Sequence, residues 1–93
     1  MTKDKYPIVS MKRLGKGKTV FVASGAEGAK RVLERLGFEK TGDACLFTAQ
    51  GFSMEDCANF LYYMHWREGF WLDAEAAAVV QRYGLEVDRG RVV

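Results

Sequence analysis

Chemistry at a protein site needs a nucleophile, a base, a set of metal ligands or a phosphate cradle, and this chain offers few side chains for any of them. Its cysteines are Cys45 and Cys57, and its one histidine is His65. A thiol nucleophile needs a base within hydrogen-bond reach. Cys57 and His65 stand eight residues apart on one expected helix, about 12 Å at a rise of about 1.5 Å per residue, which is too far for a dyad. Both cysteines sit among apolar neighbours, where cysteine behaves as a small hydrophobe, so a structural role is expected for them and for His65. Whether Cys45 approaches His65 is a matter for the fold. The stretch Gly15-Lys16-Gly17-Lys18-Thr19 ends like a phosphate-binding loop, but Lys12 occupies the position of its first glycine. That loop type also runs from strand into helix. Here the following residues read as strand, so no nucleotide binding is expected. One histidine and scattered carboxylates make no zinc or calcium site. Asp43, Glu55, Asp56, Asp73 and Glu75 fall mostly in turns and at helix starts, where negative charge is favourable without a catalytic role. No catalytic residue, metal or cofactor is expected, and no enzymatic activity.

The elements that must position these residues follow from periodicity and caps. Residues 1–16 read as a loosely ordered basic segment with one apolar island, Tyr6, Ile8, Val9 and Met11, suited to a short edge strand. Thr19-Val20-Phe21-Val22-Ala23 has the β-branched and aromatic content of a buried strand. Ser24-Gly25-Ala26-Glu27 has the form of a capping box, and Ala26, Ala29, Val32, Leu33 and Leu36 make the apolar stripe of the helix it would start. Gly37 is placed to stop that helix, with Phe38 folding back onto its last turn. After a turn at Thr41-Gly42-Asp43 comes a second short strand, Ala44-Cys45-Leu46-Phe47-Thr48, with residues 38–40 as a short pairing arm. Ser53 caps the next helix with Asp56 three residues on, Phe52 is placed to staple against Cys57, and Gly69 is its stop. Asp73 caps a third helix that ends before Gly84. The tail from Leu85 to Val93 reads as a last strand or as a tight hairpin at Asp88-Arg89-Gly90. The expectation is an α+β fold, a single small domain over residues 1–93, with order roughly β-α-β-α-α-β and one small sheet covered by helices.

The second helix is the most informative segment, because it has two apolar faces. At about 100° per residue, Cys57, Phe60, Leu61 and Met64 fall on one side, with Met54 at its margin, and belong against the sheet. Glu55 and Asn59 lie opposite, where solvent is expected. The same opposite side then carries Tyr62 and Trp66, with Tyr63 at its edge. With Phe70 and Trp71, five aromatics fall within ten residues. Two explanations compete, and they can coexist if the third helix covers Tyr62 but leaves Trp66 or Trp71 free. In one, the third helix folds back over this face, with Ala74, Ala76, Ala77 and Ala78 allowing close approach and Val79, Val80 and Tyr83 adding bulk. In the other, part of the face stays exposed as a binding anchor, since Trp, Tyr and Arg dominate interface hot spots and Arg67 stands beside Trp66.

Bulk properties bound the rest. The chain has 93 residues, 48% of them apolar, 13% aromatic and 28% charged, with one proline. That is enough for one core and far from the composition of a disordered chain. No apolar run approaches the roughly 18 residues of a spanning helix, no secretory leader is visible in MTKDKYPIVS, and two cysteines make no disulfide framework. A cytoplasmic protein with reduced thiols and no membrane partner is expected. The net charge is +2, but residues 1–40 hold ten Lys/Arg against four Asp/Glu and residues 41–93 hold four against eight. A basic patch is therefore expected around Lys12, Arg13, Lys16, Lys18, Lys30 and Arg31.

One segment has family likenesses. Gly28-Ala-Lys-Arg-Val-Leu-Glu-Arg-Leu-Gly37-Phe38-Glu39, followed by Leu46-Phe47, resembles the helix-GF-strand core of PUB/PUG domains. The resemblance implies an adaptor that binds the tails of AAA ATPases. The same residues also resemble the "LGF" segment near the end of GNAT acetyltransferases. The likeness spans roughly residues 21–60 at its widest. Neither carries a residue role onto this chain: the leading helices of a PUB domain do not fit in the twenty residues available, and the acetyltransferase phosphate-binding glycine loop is missing.

Two functional expectations result. The leading one is a small protein-interaction module, of adaptor or inhibitor type, that binds a larger protein through Tyr62, Tyr63, Trp66, Arg67 and Trp71. The alternative is a nucleic-acid-binding protein, with Lys12, Arg13, Lys16, Lys18, Lys30 and Arg31 on phosphates; a net charge of +2 is low for that role. Self-association as a homodimer through the aromatic face is a third.

Overall fold

Strand and helix signals alternate along the chain because single apolar faces must be buried against one another, and a small sheet under helices is the simplest way to do so. The computed structural model describes residues 7–25 and 29–93. Five strands, β1 (Ile8–Arg13), β2 (Lys18–Ser24), β3 (Glu39–Thr41), β4 (Ala44–Gln50) and β5 (Trp71–Leu72), form one sheet in the order β3-β4-β2-β1-β5. Three helices, α1 (Lys30–Leu36), α2 (Met54–Trp66) and α3 (Ala74–Arg82), complete it, with a 3-10 turn at Arg89–Arg91. The α+β class with a single sheet is as expected.

The strands are antiparallel neighbours except at one edge, where β5 runs parallel to β1. β1 is thus the expected short strand but not an edge strand, since Ile8 pairs with Trp71 and Val9 with Leu72. Alternation along the strands sends Val9, Thr19, Phe21, Ala23, Cys45, Ala49 and Leu72 into the core. The helices pack on that side: Ala29, Val32 and Leu36 lie against the same cluster as Leu33, Leu61, Met64 and Val80. The expectation of a sheet covered by helices therefore holds for one face. The other presents Ile8, Val20, Val22 and Leu46, half-buried, among the exposed Lys12, Lys18, Thr48 and Gln50, and no described helix packs on it. A shortest dimension of 18 Å suits one sheet and one helical layer.

Phenylalanines knit the layers. Phe60 of α2 meets Phe21 of β2 edge-on at 5.0 Å and Phe47 of β4 at 5.3 Å, while Phe38 lies 5.6 Å from Phe47. Phe52 joins this group, packing on Phe21, Phe47 and Phe60. The stop of α1 is as expected: Gly37 has φ 104, and Phe38 N–H reaches back to the Leu33 carbonyl at 2.9 Å.

The start of α1 is a correction. Ser24 does not cap it, because Ser24 is the last residue of β2, paired with Ile8 and Ala44. The β-region backbone of a strand end would itself suit a cap, but α1 starts six positions on, too far for Ser24 to reach its first-turn N–H groups. The first helical residue is Lys30, after Ala29, which makes no side-chain capping bond. Tyr6, Ala26 and Glu27, which figured in these expectations, lie outside the described residues. The tail differs too: Asp88, Arg89 and Gly90 do turn, but the expected last strand shrinks to a single bridge between Val92 and Leu72.

Candidate functional site

α2 begins with a complete capping box. Asp56 N–H donates to Ser53 Oγ at 3.0 Å, and Ser53 N–H donates to Asp56 Oδ2 at 3.0 Å. With its first turn fixed, the helix buries Cys57, Ala58, Leu61, Met64 and His65. α3, capped by Asp73, packs on the flank of α2 and over β1 and β5. Of its four alanines offered for close approach, Ala76 and Ala77 are buried, while Ala74 and Ala78 face solvent.

That placement bears on whether α3 covers the aromatic face of α2. α3 does not cover it. Tyr62, Tyr63 and Trp66 are 36%, 42% and 45% exposed, and with Arg67 they line an open groove of about 300 Å³. Tyr63 Oη donates to Glu68 Oε2 at 3.3 Å on the rim, and Arg67 joins no ion pair among the described residues. Trp71 is separated from the groove residues by its place in β5, where it is half-buried.

Trp66 also meets a segment that the sequence did not place beside it. The segment after α3 returns to the end of α2, with Leu85, Val87 and Val92 against the core. Trp66 Nε1–H donates to the Glu86 carbonyl at 2.9 Å, and the Arg91 guanidinium lies 5.3 Å from the centre of the Trp66 ring, within the range of a cation–π contact. Arg91 also donates from Nη1 to the His65 carbonyl at 3.0 Å and from Nε to Asp88 Oδ2 at 3.0 Å. The part-exposed indole is therefore held at its N–H edge by Glu86 and on one face by Arg91.

His65 sits beneath it, fully buried. Its Nδ1 lies 2.9 Å from the Phe70 carbonyl, and its Nε2 accepts the Asp88 N–H at 2.8 Å. A carbonyl can only accept and an N–H can only donate, so the ring is neutral with its proton on Nδ1. Burial, with Arg91 adding repulsion, holds its pKa below the ordinary histidine value against the opposing pull of the Phe70 carbonyl and Asp88. The Asp88 carboxyl is held below its usual range by the Arg91 hydrogen bond and then by the Gly90 N–H. With both ring nitrogens committed, neither cysteine is a partner of His65. Cys45 and Cys57 are buried free thiols, and Cys57 Sγ lies 3.6 Å from Thr19 Oγ1.

The basic residues are only partly brought together. Lys12, Lys16 and Lys18 gather at the β1–β2 turn, where Lys16 holds a positive φ of 66. Arg13 points the other way, donating from Nη1 to Thr19 Oγ1 at 2.8 Å and to the Phe52 carbonyl at 2.7 Å. Lys30 and Arg31 open α1, which is entered from the opposite end of β2, about 20 Å from Lys18 at about 3.3 Å per residue.

Among the described residues no group of three or more His, Cys, Asp or Glu is placed to hold a metal ion, and no helix is long and apolar enough to cross a membrane. Comparison with protein-family models, with characterised proteins and with solved structures finds no match; the likenesses to PUB/PUG domains and acetyltransferases gain no support from it.

Proposed function

We propose that the chain is a small protein-interaction module, of adaptor or inhibitor type, that docks a larger protein on the groove formed by Tyr62, Tyr63, Trp66 and Arg67. The observation that carries this reading is the exposure of three large aromatics on the outer face of α2 while α3 packs elsewhere. Solvent-facing aromatics beside an arginine have the composition of an interface hot spot. Trp66 is also pre-positioned by Glu86 and Arg91, which lowers the ordering cost of binding. Trp71, in β5, lies outside the groove and is no part of this docking site.

The test is capture of partners from host-cell lysate after nuclease treatment, with wild type and with Tyr62→Ala and Tyr63→Ala. Tyrosine variants are the sharper probes, because truncating Trp66 would also unclamp the tail. A protein retained by wild type and lost with either variant supports the module. Retention by all three sinks this groove as the docking site.

Nucleic-acid binding is the second reading, supported by Lys12, Lys16 and Lys18 at the β1–β2 turn beside the uncovered sheet face. It requires an affinity that falls steeply with salt and is lost in a Lys12→Ala/Lys16→Ala/Lys18→Ala variant. Lys30 and Arg31 would contribute little to the same contact, given their distance.

A further inference from the structure

Four hydrogen bonds hold the C-terminal segment, residues 85–93, to the end of α2 and to β5, besides the packing of Leu85, Val87 and Val92 on the core. The Asp88 N–H donates to His65 Nε2, the Glu86 carbonyl accepts from Trp66, and Arg91 reaches the His65 carbonyl. Val93 N–H adds a bond to the Leu72 carbonyl at 2.9 Å. Only the first of these depends on a group that titrates near neutrality.

We infer that His65 is a proton-sensitive latch: neutral, it holds residues 85–93 on the end of α2, and a second ring proton releases them. In this arrangement a second ring proton has no acceptor at Nε2. A protonated Nε2 would face the Asp88 N–H at 2.8 Å, donor against donor, inside the core. The Asp88 carboxylate cannot turn to receive it without cost, since Oδ1 accepts the Gly90 N–H and Oδ2 accepts Arg91 Nε. Arg91 is a like charge held close by its bond to the His65 carbonyl.

Among the described residues the other elements around the ring bring no compensating anion, and Glu86 of the segment itself is exposed. On α3 the buried residues are Ala76, Ala77, Val79 and Val80, while Glu75 and Arg82 are exposed. The Asp73 carboxylate is committed to the Ala76 N–H at 2.8 Å. β5 contributes Trp71 and Leu72 only. Beyond the end of α2, Arg67 is exposed and Glu68 accepts from Tyr63.

The sign follows from linkage. A histidine whose folded pKa lies below its unfolded value binds its proton more weakly when latched. The latch is therefore complete above the ordinary value of 6.5 and weakens as pH falls through it. Release would free the edge of β5 and unclamp Trp66, reshaping the groove. The latch is read without any partner and so stands or falls separately from the docking proposal.

The experiment is residue-resolved hydrogen exchange by NMR on the full chain, from about pH 7.5 to about pH 5. Protection factors of the Asp88 and Val93 amides are expected to fall as the pH drops below about 6.5, by at most about tenfold per pH unit for one proton, while amides of β2 and β4 keep theirs. His65→Gln is expected to remove that slope. Constant protection at Asp88 and Val93, or a loss that runs parallel in β2 and β4, would overturn the latch. So would an unchanged slope in His65→Gln. Should that variant fail to fold, the imidazole nitrogens of wild type carry the test. Expected is a proton on Nδ1 alone at neutral pH, with the second arriving as Asp88 loses protection. A doubly protonated ring at neutral pH, or a titration unconnected to the protection loss, refutes the proposal.

Discussion

Trp66 is exposed over its ring and committed at its N–H, so its two halves answer to different substitutions. Trp66→Phe keeps an aromatic face for the groove and for Arg91 but loses the bond to Glu86. A loss of about 0.5–1.5 kcal/mol is expected, read by urea denaturation, toward the lower end because water can reach the freed carbonyl. Tyr62→Ala is expected to change stability by less than about 0.5 kcal/mol, as for a surface side chain, while abolishing capture of the partner. Gly37 answers to backbone geometry. At φ 104, with the Phe47 ring 3.1 Å from where a Cβ would sit, Gly37→Ala is expected to cost about 1 kcal/mol or more, measured the same way. Much at this scale was legible in the sequence. Tyr62 and Trp66 fall opposite Cys57, Leu61 and Met64 by helical spacing alone. The partners of His65 were not legible, because Asp88 comes from a turn twenty-three positions away and no periodicity connects the two.

Capping chemistry decided which elements could be foreseen. Ser53 with Asp56, and Asp73, cap α2 and α3 as expected, and Ser53→Ala is expected to cost about 1 kcal/mol, measured by thermal or urea unfolding. Ser24 offered the same local signal, but β2 runs on through it, paired with Ile8 and Ala44, and α1 starts only at Lys30. A strong local motif next to a strand is thus ambiguous until strand length is known. β5 was invisible for the opposite reason. Two residues carry no period, and Trp71-Leu72 is a strand only because β1 lies beside it. The basic cluster shows the same limit: Lys18 and Lys30 are near in sequence, yet β2 carries the chain away from one before it reaches the other.

A single cluster of phenylalanines joins sheet and helices, so the molecule has one centre of stability. Phe21, fully buried and ringed by Phe47, Phe52 and Phe60, is its middle, and Phe21→Ala is expected to cost about 3–5 kcal/mol, a large share of the roughly 5–15 kcal/mol by which a domain is ordinarily stable. The sheet order also has a consequence in time. β1 with β2, and β3 with β4, are joined by short turns, and closing such loops is cheap and fast. The β1–β5 pair instead joins Ile8 to Trp71 across about sixty residues of chain, a closure whose entropy must be met before its few contacts reward it. The β5 edge, and the tail that rests on it, should therefore assemble after the rate-limiting step. Substitutions at Leu72 would then speed unfolding and leave the folding rate nearly untouched, whereas those at Phe21 would slow folding itself.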